Sequence, residues 1–120
     1  MALNVKKQVA CPPGQNRGII TQARETTKVF DPRTGPEPVV EVTIQPAHKV
    51  EGFQTMPVSV VFAANLSTLG GLYAFLKRVG HEPKTDSFNV ESIDGTEVVF
   101  LAETKDNFVN VKKDSIRAAQ

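Results

Sequence analysis

Five segments of this chain read as strands, four with two alternating faces and one apolar on both, and apolar residues recur at helical spacing in only one segment. An alternating segment buries one face of a strand and an apolar run buries both, so the five commit most of the chain to sheet. Clusters of Pro, Gly and Asp separate the segments, because neither strand interiors nor helices tolerate them well. The helical segment falls between the third and fourth strands, so any sheet has to be built around one helical connection.

Residues 1–13 read as a flexible arm that ends in Cys11-Pro12-Pro13-Gly14, a sequence that breaks helices. Residues 17–30 predict one long, bent strand. Gln22, Arg24, Thr26, Lys28 and Phe30 share one face, and Ile19, Thr21, Ala23 and Glu25 the other. Asp31-Pro32-Arg33-Thr34-Gly35-Pro36 is a turn. Residues 38–45 predict a half-buried strand with Val40, Val42 and Ile44 inward. Residues 58–62 predict a third, with Val58, Val60 and Phe62 on one face, opposite Ser59 and Val61.

Leu69, Leu72, Tyr73, Leu76 and Val79 then form the stripe of a helix capped by Ser67 or Thr68 and stopped by Gly80. Gly70-Gly71 weakens that helix and is expected to let it pack closely on a sheet. The connector 81–95 holds a single turn at 90–93 and an Asp94-Gly95 turn. Residues 97–103 are apolar on both faces at their centre, which predicts a central strand. Lys105-Asp106-Asn107 is a hairpin turn, and Val109 and Val111 point inward from the last strand. Residues 114–120 read as a tail.

The predicted order is strand, strand, strand, helix, strand, strand, in one domain over 14–113. The expected fold is all-β with one helix, a five-stranded Greek-key barrel of the OB type. The alternative is an open α+β sheet with one helix packed on it.

With 120 residues the core is modest and no large multi-substrate enzyme fits. The net charge is only +1, but residues 1–35 carry net +4 and the remainder −3, which points to a local polyanion site. One cysteine excludes an intrachain disulfide and any site with several thiolates. Cys11 has no motif linking it to His48 or His81, and a surface cysteine is the expected role. Both histidines read as solvated loop residues. No metal-ligand spacing and no phosphate loop is present, so neither a cofactor nor catalysis is expected. The N-terminus lacks a secretory h-region, and no stretch reaches the roughly 20 apolar residues of a membrane span, so a cytoplasmic location is expected.

Three loops each pair a phenylalanine with a cation. Lys28, Phe30 and Arg33 bracket the first, Lys49 and Phe53 lie in the second, and Lys105 precedes Phe108 at the third. A phosphate backbone needs cations and an unstacked base needs a flat ring, so these residues are candidate nucleic-acid contacts. Arg24 on the first strand and Lys112 on the last extend the set, and Arg17 prolongs the track. The competing role for each ring is to plug an end of the barrel.

Four segments carry a family resemblance: residues 13–18, 66–80 (LSTLGGLYAFLKRVG), 90–95 and 106–111 (DNFVNV). Together they resemble small phage-encoded OB-fold proteins of the single-stranded-DNA-binding type. The resemblance implies sequence-tolerant binding of single-stranded DNA in phage replication or recombination, within the host cytoplasm. The chain departs from that pattern in having no Trp, one Tyr and no acidic C-terminal tail. Nothing in it distinguishes DNA from RNA, and a homo-oligomer seeded by Val61 and Val99 is an open expectation. The alternative function is a protein-interaction or structural accessory module on the same barrel.

Overall fold

The longest alternating segment becomes the longest strand, and the rest of the sheet is laid out on it. A computed structural model describes residues 7–64, 66, 71–81, 88–105 and 108–119. The strands are β1 (Gln8–Val9), β2 (Gly14–Val29), β3 (Pro36–Pro46), β4 (Gln54–Thr55), β5 (Val58–Ala63), β6 (Glu97–Lys105), β7 (Phe108–Val111) and β8 (Arg117–Ala118). One α-helix, α1 (Gly71–Arg78), lies between β5 and β6, and 3-10 turns cover Val90–Ile93 and Lys113–Ser115. The fold is mostly β, with a six-stranded antiparallel sheet in the order β5-β3-β2-β6-β7 and β8 paired to β6. The two edge strands, β5 and β7, come within 8 Å of each other, Cα to Cα.

Strand β2 has two partners. Its first residues, from Gly14 to Ile19, pair with β6, and from Gly18 onward it pairs with β3. Where both neighbours grip it, the backbones are close. A Cβ on Gly18 would sit 2.7 Å from the Gln45 carbonyl oxygen and 2.8 Å from Ile44 Cγ2, so only glycine fits.

The register slips between Ile20 and Gln22, leaving Thr21 as the extra residue of a bulge. One extra residue reverses the alternation. Asn16, Gly18 and Ile20 face inward before the bulge and Ala23 after it. The expected face of Ile19, Thr21, Ala23 and Glu25 is therefore wrong, and Ile19 is 43% exposed.

The Asp94-Gly95 turn serves the bulge. Ala23 N–H donates to Asp94 Oδ1 (2.9 Å), Gly95 N–H to the Ile20 carbonyl (2.7 Å), and Ile20 N–H to the Thr96 carbonyl (2.9 Å). Asp94→Ala strands a buried amide and should cost about 1–3 kcal/mol, while Asp94→Asn keeps the oxygen and should melt near the wild type. Equal melting of the two variants would refute the assignment.

The helix buries Leu72, Phe75 and Leu76, and Val79 just past its end completes the i, i+3, i+4, i+7 set, while Tyr73 is only half-buried. Phe75 thus takes the core position expected for Tyr73 and stacks on Phe62 of β5, centroids 4.7 Å apart. Gly80 closes the helix as expected, with φ +83°. His81 N–H bonds the Leu76 carbonyl (2.8 Å) and Gly80 N–H the Lys77 carbonyl (3.2 Å), a Schellman ending. Gly71 does not mediate close packing, since a Cβ there would meet Phe62 at an ordinary 3.5 Å. Leu69, Gly70 and the two N-cap candidates lie outside the described residues, as do Asp106 and Asn107 of the hairpin turn.

Both ends of the chain correct the expectation. The described part of the arm is docked, with β1 parallel to β4, Met56 N–H bonded to the Val9 carbonyl (2.9 Å), and Cys11 buried in the core. Asn16 Nδ2 donates to the Pro12 (2.8 Å) and Gly14 (3.2 Å) carbonyls and fixes the corner into β2.

Residues 114–119 are no tail. Ile116 is fully buried, and β8 continues along the β6 edge that β7 begins. The 3-10 turn between β7 and β8 interrupts the ladder, and Ser115 Oγ supplies the missing acceptor to Leu101 N–H (2.9 Å). Arg78 at the end of α1 holds the turn, donating to the Ile116 (3.0 Å) and Lys113 (2.9 Å) carbonyls. One core cluster therefore runs from Cys11 to Ile116.

Candidate functional site

Beyond Ala23 the paired strands β2 and β3 carry mostly exposed residues toward their tip. Asp31 shapes the tip: its carboxylate accepts from Arg33 N–H (3.0 Å), and its carbonyl accepts from Thr34 N–H (3.1 Å), Gly35 N–H (3.2 Å) and Thr34 Oγ1 (3.1 Å). Gly35, at φ +76°, turns the chain back into β3. Phe30 is 59% exposed, and Lys28 Nζ lies 5.4 Å from its ring centroid. Arg33 is exposed beside them.

The second loop is braced at its base. Gln45 Nε2 donates to the Thr55 carbonyl (3.0 Å), and the Thr55 hydroxyl donates to the His48 carbonyl. Phe53 stands 46% exposed there, with Lys7 Nζ 5.9 Å from its centroid. Its ring-facing cation is thus Lys7 of the arm. Lys49 is exposed in the same loop.

Phe108 opens β7 and is 71% exposed. It lines an open depression of about 320 Å³ together with Cys11, Met56, Pro57, Val58 and Val109. Lys105 lies opposite Phe108 in the β6–β7 register.

The fold sorts the candidates into two groups. Met56 and Phe108 belong to one end, where the start of β5 meets β7, and Phe53 lies in the loop just before β4. Lys28, Phe30 and Arg33 sit at the ribbon tip. From Pro36 at the tip to Ile44, which pairs with Val58, runs about 26 Å of strand. The outward face between them is small and polar, with Thr43 and Ser59 hydroxyls 3.3 Å apart.

Two of the expected cations are neutralised. Arg24 binds Glu41 (3.0 Å), and Lys112 binds Glu103 (3.1 Å). Lys28, Arg33 and Lys49 have no such partner among the described residues. The cation track is therefore interrupted along the middle of β2.

Cys11 is a core residue and not a surface one. Burial pushes its thiol pKa up, opposed in part by a backbone hydrogen bond. A protonated, covered thiol is a poor nucleophile. Ellman's reagent should label Cys11 only as the protein unfolds, and prompt labelling of the native protein would contradict the burial. Both histidines are half-buried, and His81 Nε2 lies 3.0 Å from Thr96 Oγ1. No group of metal-binding side chains occurs among the described residues, and no described helix is long and apolar enough to cross a membrane.

Sequence reasoning passed over Met56, because a single Met before Pro57 carries no pattern. It also passed over Arg117, which lies in the segment read as a tail. Val99, an expected dimer seed, is instead covered where β8 pairs with β6. The chain matches no known protein family and no curated protein sequence.

Proposed function

We propose that the protein binds single-stranded DNA with little sequence preference, through exposed rings and nearby cations on an OB-type barrel whose seam is β5 against β7. The strand order supports the barrel: β2 is shared by β3 and β6, the helix connects β5 to β6, and the two edges approach each other. One observation carries the function. Of seven phenylalanines, only Phe30, Phe53 and Phe108 are exposed, and each stands in or beside a loop that also carries a Lys or Arg. Rings that plugged the barrel would be buried like Phe75 and Phe100. Exposed rings are costly in water and useful to an unstacked base. Phage replication or recombination is the setting that the sequence resemblance suggests.

The test is anisotropy with labelled oligo-dT at two salt concentrations. Lys28→Ala, Arg33→Ala or Lys49→Ala should weaken binding and flatten the salt slope by about 0.7 for each phosphate that is no longer neutralised. Phe30→Ala, Phe53→Ala or Phe108→Ala should lose about 1–3 kcal/mol per stacked base with the slope kept. Because these rings are exposed, their variants should melt with the wild type. Absence of oligo-dT binding at low salt rejects the reading. The apolar depression at Met56 and Phe108 would then favour a protein partner.

A further inference from the structure

The two long edges of the β2–β3 ribbon differ in what they offer to another strand. On the β3 side the Pro38 carbonyl points away from β2 and accepts from Ala64 N–H (3.2 Å). By strand alternation Pro36 points the same way. Neither proline has an N–H, so toward the tip this edge has no donor to give.

The β2 edge is different. Its pairing with β6 ends at Ile19, and the Asp94–Thr96 segment covers it as far as Ala23. Ala23 N–H points out of the ribbon toward Asp94. The register is regular from Gln22 onward, so Glu25, Thr27 and Val29 point their N–H and C=O outward as well. Nothing among the described residues pairs with them. The stretch holds no Pro or Gly, and Thr26, Thr27 and Val29 favour strand pairing.

We propose that this edge pairs antiparallel with the same edge of a second copy of the chain, joining two ribbons into one four-stranded sheet. Self-complementarity selects the occupant. In an antiparallel pair, opposite residues either both direct their N–H and C=O at each other or both direct them away, so the twofold axis falls on a residue and not between two. An axis on Arg24, Glu25 or Lys28 sets two like charges opposite each other, and one on Thr26 sets Arg24 opposite the partner's Lys28. An axis on Val29 leaves Thr27 facing the partner's Asp31, in the turn. An axis on Thr27 opposes no like charges. Glu25 meets the partner's Val29, Thr26 meets the partner's Lys28, and all three outward residues exchange hydrogen bonds. Arg24 then stands beside the exposed ring of the partner's Phe30, a favourable cation–π arrangement. The pairing stops one residue short of Ala23, whose N–H Asp94 already occupies. The inference is independent of the single-stranded DNA reading.

Sedimentation equilibrium of the full chain over a concentration series tests this. The wild type should pass from one chain to two as concentration rises, because the paired stretch is short. Thr27→Lys places two ammonium groups on the axis and should raise the concentration needed for association about tenfold or more. At dilutions where both are monomeric it should melt with the wild type, since Thr27 is exposed and its N–H is not used within the ribbon.

Thr27→Cys reads the register. Residues opposite each other in a hydrogen-bonded pair have Cα atoms about 5.5 Å apart, within reach of a disulfide. Oxidised glutathione should therefore link two Thr27→Cys chains. It should not link two Glu25→Cys chains, whose altered residues would be about 14 Å apart. Cys11 is buried and does not compete. A wild type that stays monomeric up to roughly 1 mM overturns the inference and leaves the edge to a strand from another protein. A dimer that survives Thr27→Lys unchanged, or that links through Glu25→Cys as readily as through Thr27→Cys, overturns it too.

Discussion

Truncation after Ser115 should abolish the cooperative thermal transition. The segment removed contains Ile116, which is completely buried, and loss of such a side chain alone costs about 2–5 kcal/mol. It also contains β8, whose backbone pairs with Val98 and Val99, and Ala119 N–H, which bonds the Glu97 carbonyl at 2.9 Å. Arg78 would lose its Ile116 carbonyl acceptor and keep the Lys113 one. Together these losses reach the whole stability of a typical domain, about 5–15 kcal/mol. The graded variant Ile116→Val should keep the fold and cost about 0.5–1.5 kcal/mol. A truncated chain that melts within a few degrees of the full chain would show that the core does not depend on its C-terminus.

Phe75→Ala should be the most damaging single truncation in the helix. The ring has no exposed surface and stacks on Phe62, so its removal leaves a cavity between α1 and β5. The expected cost is about 3–5 kcal/mol, a fall in Tm of more than about 10 °C for a domain of this size. Gly71→Ala is the matched control. Its added methyl meets Phe62 at a normal distance, and the change should stay within about 1 kcal/mol of the wild type. If Phe75→Ala melts like Gly71→Ala, the helix does not sit on β5 as described.

The candidate site was partly legible. Phenylalanines set among polar loop residues and beside cations marked Phe30, Phe53 and Phe108, and these are the exposed rings. The signal worked because alternation leaves no core position for a ring between strands. It failed for the charges. Arg24 faces outward as expected, but Glu41 stands opposite it in the β2–β3 register, and no spacing along one strand reveals a partner on the next. It failed also for the cation on Phe53, because Lys7 reaches that ring only through the parallel pairing of β1 with β4.

The sequence by itself determined the elements whose patterning is local. The inward faces of β3, β5 and β7, the single helix with its Gly80 stop, and the turns at Asp31–Gly35 and Asp94-Gly95 all follow from periods and turn residues within a few positions. Tertiary structure decided what depends on a neighbour distant in sequence. The Thr21 bulge exists where the Asp94 carboxylate and the Gly95 amide meet the Ile20–Ala23 backbone, and it alone settles which side of β2 faces water before it. Gly18 is fixed by the approach of Gln45. Residues 7–13 and 114–119 are too short to show a period, so nothing local commits them to structure. They become strand and core because a paired backbone edge and an apolar cavity are already waiting for them, and burying Cys11 and Ile116 there offsets the entropy of ordering two otherwise loose ends.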